Sequence, residues 1–246
     1  MAGPLAGRIA VVTGASRGIG RAAALAMSRA GAHVVALART QGALEELDDA
    51  IRSAGGTATL VPVDLKDLDA LDRLGAGLFE RHGKVDILFG NAGLLGGLSL
   101  LGHYDQTTWD DVMTVNVTAN WRLIRSLDPL LRASDAGRAL FVTSGAAHKC
   151  PAYWGPYSVS KAAVEALART YAAETATTPI RVMLVNPGPL RTRMRAAAMP
   201  GEDPETLRTP EDLAPHLVRL ASPEWSESGR IYDFPTDRVL SPGMPG

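Results

Sequence analysis

The chain has 246 residues, 46% of them hydrophobic, and its 25 basic residues against 26 acidic ones leave a net charge of −1. That balance speaks against disorder and against the basic excess of a nucleic-acid binder, and a lone Cys150 excludes a disulfide scaffold. Arginine outnumbers lysine 21 to 4, so a local cluster of arginines is weak evidence for an anion site.

The elements follow one rhythm from the first residues: apolar strand, turn, helix. Residues 9–13 form a short apolar run closed by Gly14, and residues 19–30 carry apolar side chains at helical spacing up to Gly31. Residues 33–38 read as a second buried strand and 41–54 as a surface helix stopped by Gly55-Gly56. A third strand over 57–63, a helix over 67–82 and a fourth strand over 85–89 come next. Residues 107–132 are long enough for a helix of several turns. Strand 138–143, helix 156–176 and strand 180–185 continue the pattern. A Pro- and Met-containing connection spans 187–210, followed by a short helix over 211–221 and a last strand over 230–234. Strands that are apolar throughout, each separated by a helix, predict a parallel sheet covered on both faces. The expected fold class is α/β, a doubly wound Rossmann-like sheet of about seven strands, in a single domain over 1–246. The start of the chain lacks a signal-peptide pattern, and the apolar stretch 87–102 is too short and too Gly-rich to span a membrane. A cytoplasmic protein with no membrane partner is expected.

Where the first strand becomes the first helix stands Thr13-Gly14-Ala15-Ser16-Arg17-Gly18-Ile19-Gly20. Glycines there let a phosphate approach backbone N–H groups, and a helix N-terminus favours negative charge. A bare structural turn would have the same composition. Its place after the first strand of a parallel sheet favours the ligand reading, because such sheets bind ligands at the carboxyl ends of their strands. About 20 residues on, where an NAD-binding fold offers an acid to the ribose, Ala38-Arg39-Thr40 offers none. Arg39, with Arg17 from the glycine loop, can fork onto a 2′-phosphate; two surface arginines would look the same. Together they favour NADP(H) over NAD(H). Tyr157 and Lys161 are one helical turn apart, and Ser144 ends the fifth strand at the same sheet edge. A phenol near an ammonium can trade a proton with a carbonyl or alcohol, while a serine hydroxyl holds the oxygen. The five histidines show no metal spacing, so no metal site is expected.

In these pieces the chain resembles the short-chain dehydrogenase/reductase family over nearly its whole length. The matching parts are the glycine loop, Asp64-Leu65, Asn91-Ala92-Gly93, Asn116, Ser144, Tyr157 with Lys161, and Pro187-Gly188 with Thr192. The resemblance implies an NADP(H)-dependent oxidoreductase that moves a hydride to or from a small-molecule carbonyl or secondary alcohol. It implies Tyr157 as general acid or base, and Lys161 as the group that lowers the Tyr157 pKa and binds the nicotinamide ribose. Ser144 polarises the substrate carbonyl and Asn116 positions a relay water. The cofactor is implied to lie on Gly14, Ser16, Arg17, Gly18, Ile19 and Gly20, with Arg39 at the phosphate. Asp64 and Leu65 fall by the adenine, Asn91, Ala92 and Gly93 by its ribose, and Pro187, Gly188 and Thr192 by the nicotinamide amide. Asn91 could equally brace the sheet, Asn116 bind backbone, and Thr192 cap a local turn. A homodimer or homotetramer is implied. Two departures stand out. Gly90 replaces an Asn common in relatives, and the end 231–237 lacks their Asp-Gly-Gly, which weakens the expectation of a tetramer. A 3-oxoacyl-carrier-protein reductase, docking its carrier on Arg122, Arg125 and Arg191 to Arg195, is the enzymatic alternative. A catalytically silent dinucleotide-sensing binding protein is the alternative of another class.

Overall fold

The computed structural model describes residues 3–242, so the first two and last four residues of the domain expected over 1–246 lie outside it. Its strands are β1 (Ile9–Thr13), β2 (His33–Ala38), β3 (Thr57–Pro62), β4 (Ile87–Gly90), β5 (Arg138–Val142), β6 (Arg181–Asn186), β7 (Arg230–Asp233) and β8 (Arg238–Leu240). They form one sheet in the order β3-β2-β1-β4-β5-β6-β7-β8. Every neighbouring pair is parallel except β7 and β8.

The helices α1 (Gly18–Arg29), α2 (Gln41–Ser53) and α3 (Leu68–His82) connect the first four strands. After β4 come α4 (Gln106–Met113), a π-helical turn over Thr114–Thr118, and α5 (Ala119–Arg132). The remaining helices are α6 (Ala146–Lys149), α7 (Gly155–Glu174), α8 (Arg193–Ala198) and α9 (Pro210–Ala221). Successive strand residues point to opposite faces, and here both faces are buried. Ala10, Val12, Val34 and Ala36 pack in one core with Met27 of α1, Leu44 of α2 and Leu217 of α9. Val11, Val35 and Leu88 pack in the other with Leu71 of α3, Leu123 of α5 and Val164 of α7. This is the doubly wound Rossmann-like fold that continuously apolar strands predict.

The chain runs outward from β1 to β3 on one side, then crosses back to place β4 on the other side of β1. That reversal opens a crevice at the carboxyl ends of β1 and β4, where such sheets receive ligands. Three details differ from the sequence expectation. The single helix expected over 107–132 is interrupted by the π turn at Asn116. Short helix α8 lies in the stretch read as a connection and α6 in one given no element, because six and four residues are too few to show a helical period. An eighth strand, three exposed residues long, folds back antiparallel on β7. No helix among the described residues is long and apolar enough to cross a membrane.

Candidate active site

Thr13 ends β1, and its hydroxyl pins the next crossover strand. Its Oγ1 accepts from Asn91 N–H at 2.9 Å and Ala92 N–H at 3.0 Å, and donates to the Phe89 carbonyl at 3.3 Å. Asn91 answers with a bond from Nδ2 to the Thr13 carbonyl at 2.9 Å. The carboxyl ends of β1 and β4 are thereby locked together. A threonine at a strand end carries no spacing that announces this task in the sequence.

The glycine loop rests on this brace. Gly14 and Gly18 adopt left-handed φ values of +65° and +54°. A Cβ on Gly14 would sit 2.9 Å from Asn91 Nδ2, and one on Gly20 would sit 2.2 Å from the Gly14 carbonyl oxygen. Only bare backbone fits, and the first turn of the 12-residue α1 has no side-chain cap for its N–H groups. A cradle that a side chain would fill, ending in uncapped N–H donors, fits a dinucleotide's phosphates. Ser16 is half-buried in the same turn, beside exposed Arg17 and half-buried Ile19. Ala15 N–H donates to the Leu37 carbonyl, which ties the loop to the end of β2. Arg39 follows β2 with its side chain exposed, and its guanidinium lies 3.8 Å from the Asp64 carboxylate. Leu65 beside Asp64 is buried.

Ser144 leaves β5, and Tyr157 and Lys161 stand one turn apart on α7. Proline at the start of α7 suits the helix's first turn, which needs no donor there. Tyr157 and Lys161 are both buried. Burial pushes the Tyr157 pKa up, and a hydrogen bond with Ser144 pulls the other way without overcoming it. The Lys161 ammonium lies 5.6 Å from the centre of the Tyr157 ring and donates to the Val142 carbonyl at 2.7 Å. Burial lowers its pKa to about 8. The electrostatics of these buried groups thus favour a neutral phenol, whereas proximity to a cation alone would favour the phenolate. Gly93 completes the corner: a Cβ there would be 3.6 Å from Lys161 Nζ.

Asn116 is fully buried in the π turn. Its Oδ1 accepts from Leu94 N–H at 2.7 Å, and its Nδ2 donates to the Leu94 carbonyl at 3.0 Å and to Ser160 Oγ at 2.9 Å. The side chain therefore stitches the loop after β4 to α7. Its own carbonyl accepts from Asn120 Nδ2 at 2.7 Å. The Asn120 amide also explains Gly90, where a Cβ would sit 2.4 Å from Asn120 Oδ1.

On the far side, Gly188 takes φ +64° against Pro235, and Asn186 Nδ2 donates to Asp233 at 2.6 Å to steady the turn through Pro187. Thr192 Oγ1 caps α8 by accepting from Arg195 N–H at 3.2 Å, while a Cβ on Gly18 would lie 3.7 Å from its methyl. Leu94 and Leu95 line a cavity of about 250 Å³ with Thr108, Asp111 and Val112, on the α4 side of their loop. Glu165 belongs to no motif that would single it out in the sequence. One turn beyond Lys161, its buried carboxylate accepts from Thr143 Oγ1 at 2.6 Å and lies 2.9 Å from His148 Nε2, so it grips both sides of Ser144. Among the described residues no group of three or more His, Cys, Asp or Glu is placed to hold a metal ion.

The family profile for short chain dehydrogenase matches residues 8–203. An uncharacterized oxidoreductase of Escherichia coli (strain K12), YciK, is 35% identical over 241 residues, which is 96% of this chain and 94% of that protein. A putative short chain dehydrogenase from Shigella flexneri, crystallised with NADP, superposes with a TM-score of 0.91 at 35% identity, covering 96% of this chain and 100% of that one. Another from Escherichia coli CFT073, crystallised with NADPH, gives 0.88 at 36% identity, with 95% and 99% covered.

Proposed function

The chain belongs to the short-chain dehydrogenase/reductase family and is an oxidoreductase, and from that premise we propose that it uses NADP(H) to interconvert a small-molecule carbonyl and its alcohol. The observation that carries the reading is the corner formed by half-buried Ser144 with buried Tyr157 and Lys161, beside the uncapped glycine loop. Relatives of about 35% identity crystallised with NADP and NADPH support the choice of cofactor, as does exposed Arg39 at the end of β2.

When bound, NADP(H) gives or takes the hydride. Its phosphates fall to the backbone of Gly14, Ser16, Arg17, Gly18, Ile19 and Gly20, and the 2′-phosphate to Arg39 and Arg17. Arg39 would exchange its contact with Asp64 for the phosphate. Asp64 and Leu65 flank the adenine, Asn91, Ala92 and Gly93 its ribose, and Pro187, Gly188 and Thr192 the nicotinamide end. Ser144 holds the substrate oxygen by hydrogen bonding. Tyr157 delivers its phenolic proton to that oxygen in reduction, and burial keeps the proton on the phenol at neutral pH. Lys161 holds the ribose and restores charge balance as the phenol loses its proton. Asn116, with both ends of its amide engaged, acts on this corner by fixing Leu94 and α7.

A carrier-protein substrate is less well supported, because most of the proposed basic patch is already neutralised. Arg122 pairs with Asp72, Arg191 with Glu205 at 3.0 Å, and Arg195 with Glu202 at 2.6 Å. A silent sensor would have no use for a buried proton donor beside a buried lysine. NADPH consumption across a carbonyl panel, with products identified, tests the reading. Tyr157→Phe should stay folded, keep NADPH affinity and lose roughly 10²–10⁴-fold in turnover. A folded variant working at the normal rate would place the chemistry elsewhere.

A further inference from the structure

Two loops near the start of α7 are uncharged and expose large apolar side chains. No charged side chain occurs over residues 94–102 or 151–156. Within them Leu98, Leu100, Leu101 and Tyr153 are 41%, 52%, 64% and 56% exposed. Water contact on so many large apolar groups in two neighbouring loops is unfavourable and marks a surface that meets an apolar ligand.

These loops are held in place. Ser99 and Trp154 form a parallel bridge. The Tyr104 hydroxyl donates to the Tyr153 carbonyl at 2.6 Å and accepts from Ser99 N–H at 3.1 Å, and Ser99 N–H also reaches the Tyr153 carbonyl at 3.1 Å. Leu101 leans on the first turn of α7, where a Cβ on Gly155 would lie 2.6 Å from its Cδ1. Tyr153 itself has φ +73°, a left-handed conformation unfavourable for a bulky residue. Such a conformation persists only where surrounding contacts impose it, and it is a recurring feature of ligand sites. The next residue, Trp154, sets its ring edge-on to Tyr157 with centroids 5.8 Å apart. The apolar wall is therefore continuous with the proton donor.

We infer that the substrate's reacting carbon carries an uncharged hydrocarbon arm, alkyl or aryl, which lies along Trp154, Tyr153, Leu101 and Leu98. This assignment rests on the carbonyl–alcohol reading of the same site. A sugar-like substrate would leave most of its hydroxyls facing Leu98, Leu101 and the ring faces of Tyr153 and Trp154, with only the Tyr153 hydroxyl and the Trp154 indole N–H to bond to.

The test is a series of methyl ketones of increasing chain length with NADPH, beside polyhydroxylated ketones of matched size. Each added methylene should raise kcat/KM by roughly two- to fourfold until the wall ends. Tyr153→Asn, which tolerates the left-handed backbone, and Leu98→Asn should each flatten that slope; two sites guard against a misfolded variant. A flat or falling wild-type series, preference for the hydroxylated ketones, or a slope untouched in folded variants would overturn the assignment. Binding of N-alkylacetamides, whose carbonyl resists hydride, is followed in parallel by calorimetry in the presence of NADP. Affinity that rises with chain length while no ketone turns over would sustain the apolar site and reject the proposed chemistry. Affinity independent of chain length together with no turnover would reject both.

Discussion

Burial lowers the Lys161 pKa to about 8, well below that of an ordinary lysine, while its ammonium donates to the Val142 carbonyl. It is charged below that pH and neutral above it, whereas Tyr157 keeps its proton well beyond. If the charged lysine holds the ribose and balances the phenol, kcat/KM for carbonyl reduction should be level in the neutral range. It should fall up to tenfold per pH unit above about 8. Whatever rate remains in Lys161→Arg should lack this alkaline limb, because an arginine stays protonated. A wild-type profile that stays level to pH 10 would contradict the role. At the other end of the cofactor, Arg39→Ala should weaken NADPH binding about ten- to a hundredfold and leave NADH nearly unchanged, as judged by titrating both. Equal losses for the two cofactors would take the 2′-phosphate out of the argument.

Elements are joined most firmly at the end of the sheet away from the site. Asp86, just before β4, is buried and accepts from Ser134 Oγ at 2.6 Å, Ile9 N–H at 2.8 Å, Lys84 Nζ at 2.9 Å and Arg8 Nη1 at 3.0 Å. Those bonds tie the entries of β1 and β4 to the turn that leads from α5 into β5. Burial alone would push the carboxyl pKa up; the hydrogen bonds from Ser134, Lys84, Ile9 and Arg8 outweigh it and hold the pKa below the ordinary value. Because the folded pKa lies below the unfolded one, the stabilisation is complete above about pH 4. It is given back as pH falls through the folded value. Asp86→Asn should cost about 1–3 kcal/mol at pH 7 in denaturant unfolding, and the gap to wild type should narrow below pH 4. Turnover should not change, since the strand entries are remote from the catalytic edge. A gap that widens in acid would show that other groups control the carboxyl.

At the scale of the whole molecule, an outer face of the sandwich is built for close approach. Ala162, Ala166 and Ala173 are exposed on α7, with Val159 beside them and Trp121 exposed on α5. Small residues along α7 let a second copy pack across a two-fold axis, with Trp121 of the adjoining α5 at the margin of the contact. The sheet ends differently: β8 folds back on β7, with Tyr232 opposite Val239, so this chain's own backbone occupies that edge. The expected assembly is a homodimer with a mass near twice 25.9 kDa by light scattering. Ala166→Arg should shift it toward monomer; a monomeric wild type at micromolar concentration would refute the pairing. A tetramer built by joining β7 edges is not expected.

Layer order and the address of the site can be read from the residues alone. Unbroken apolar strands such as 9–13 and 33–38 can only be buried on both faces, and a helix between each pair compels parallel crossovers. Glycines at 14, 18 and 20 are legible because Gly14 and Gly18 take left-handed φ values and a Cβ on Gly14 or Gly20 would run into Asn91 Nδ2. Tyr157 and Lys161 are legible because four residues is one helical turn. Contacts made only on folding depend on groups far apart in sequence. The grip of Glu165 on Thr143 and His148, the engagement of both ends of the Asn116 amide, and the clamp of Tyr104 on Tyr153 are contacts across 17 to 49 residues. Local periodicity carries no record of them. The direction of the Tyr157 shift is set on folding as well, since proximity to a lysine is visible in the spacing, whereas the desolvation that opposes it exists only once the sheet and α7 have closed around the phenol.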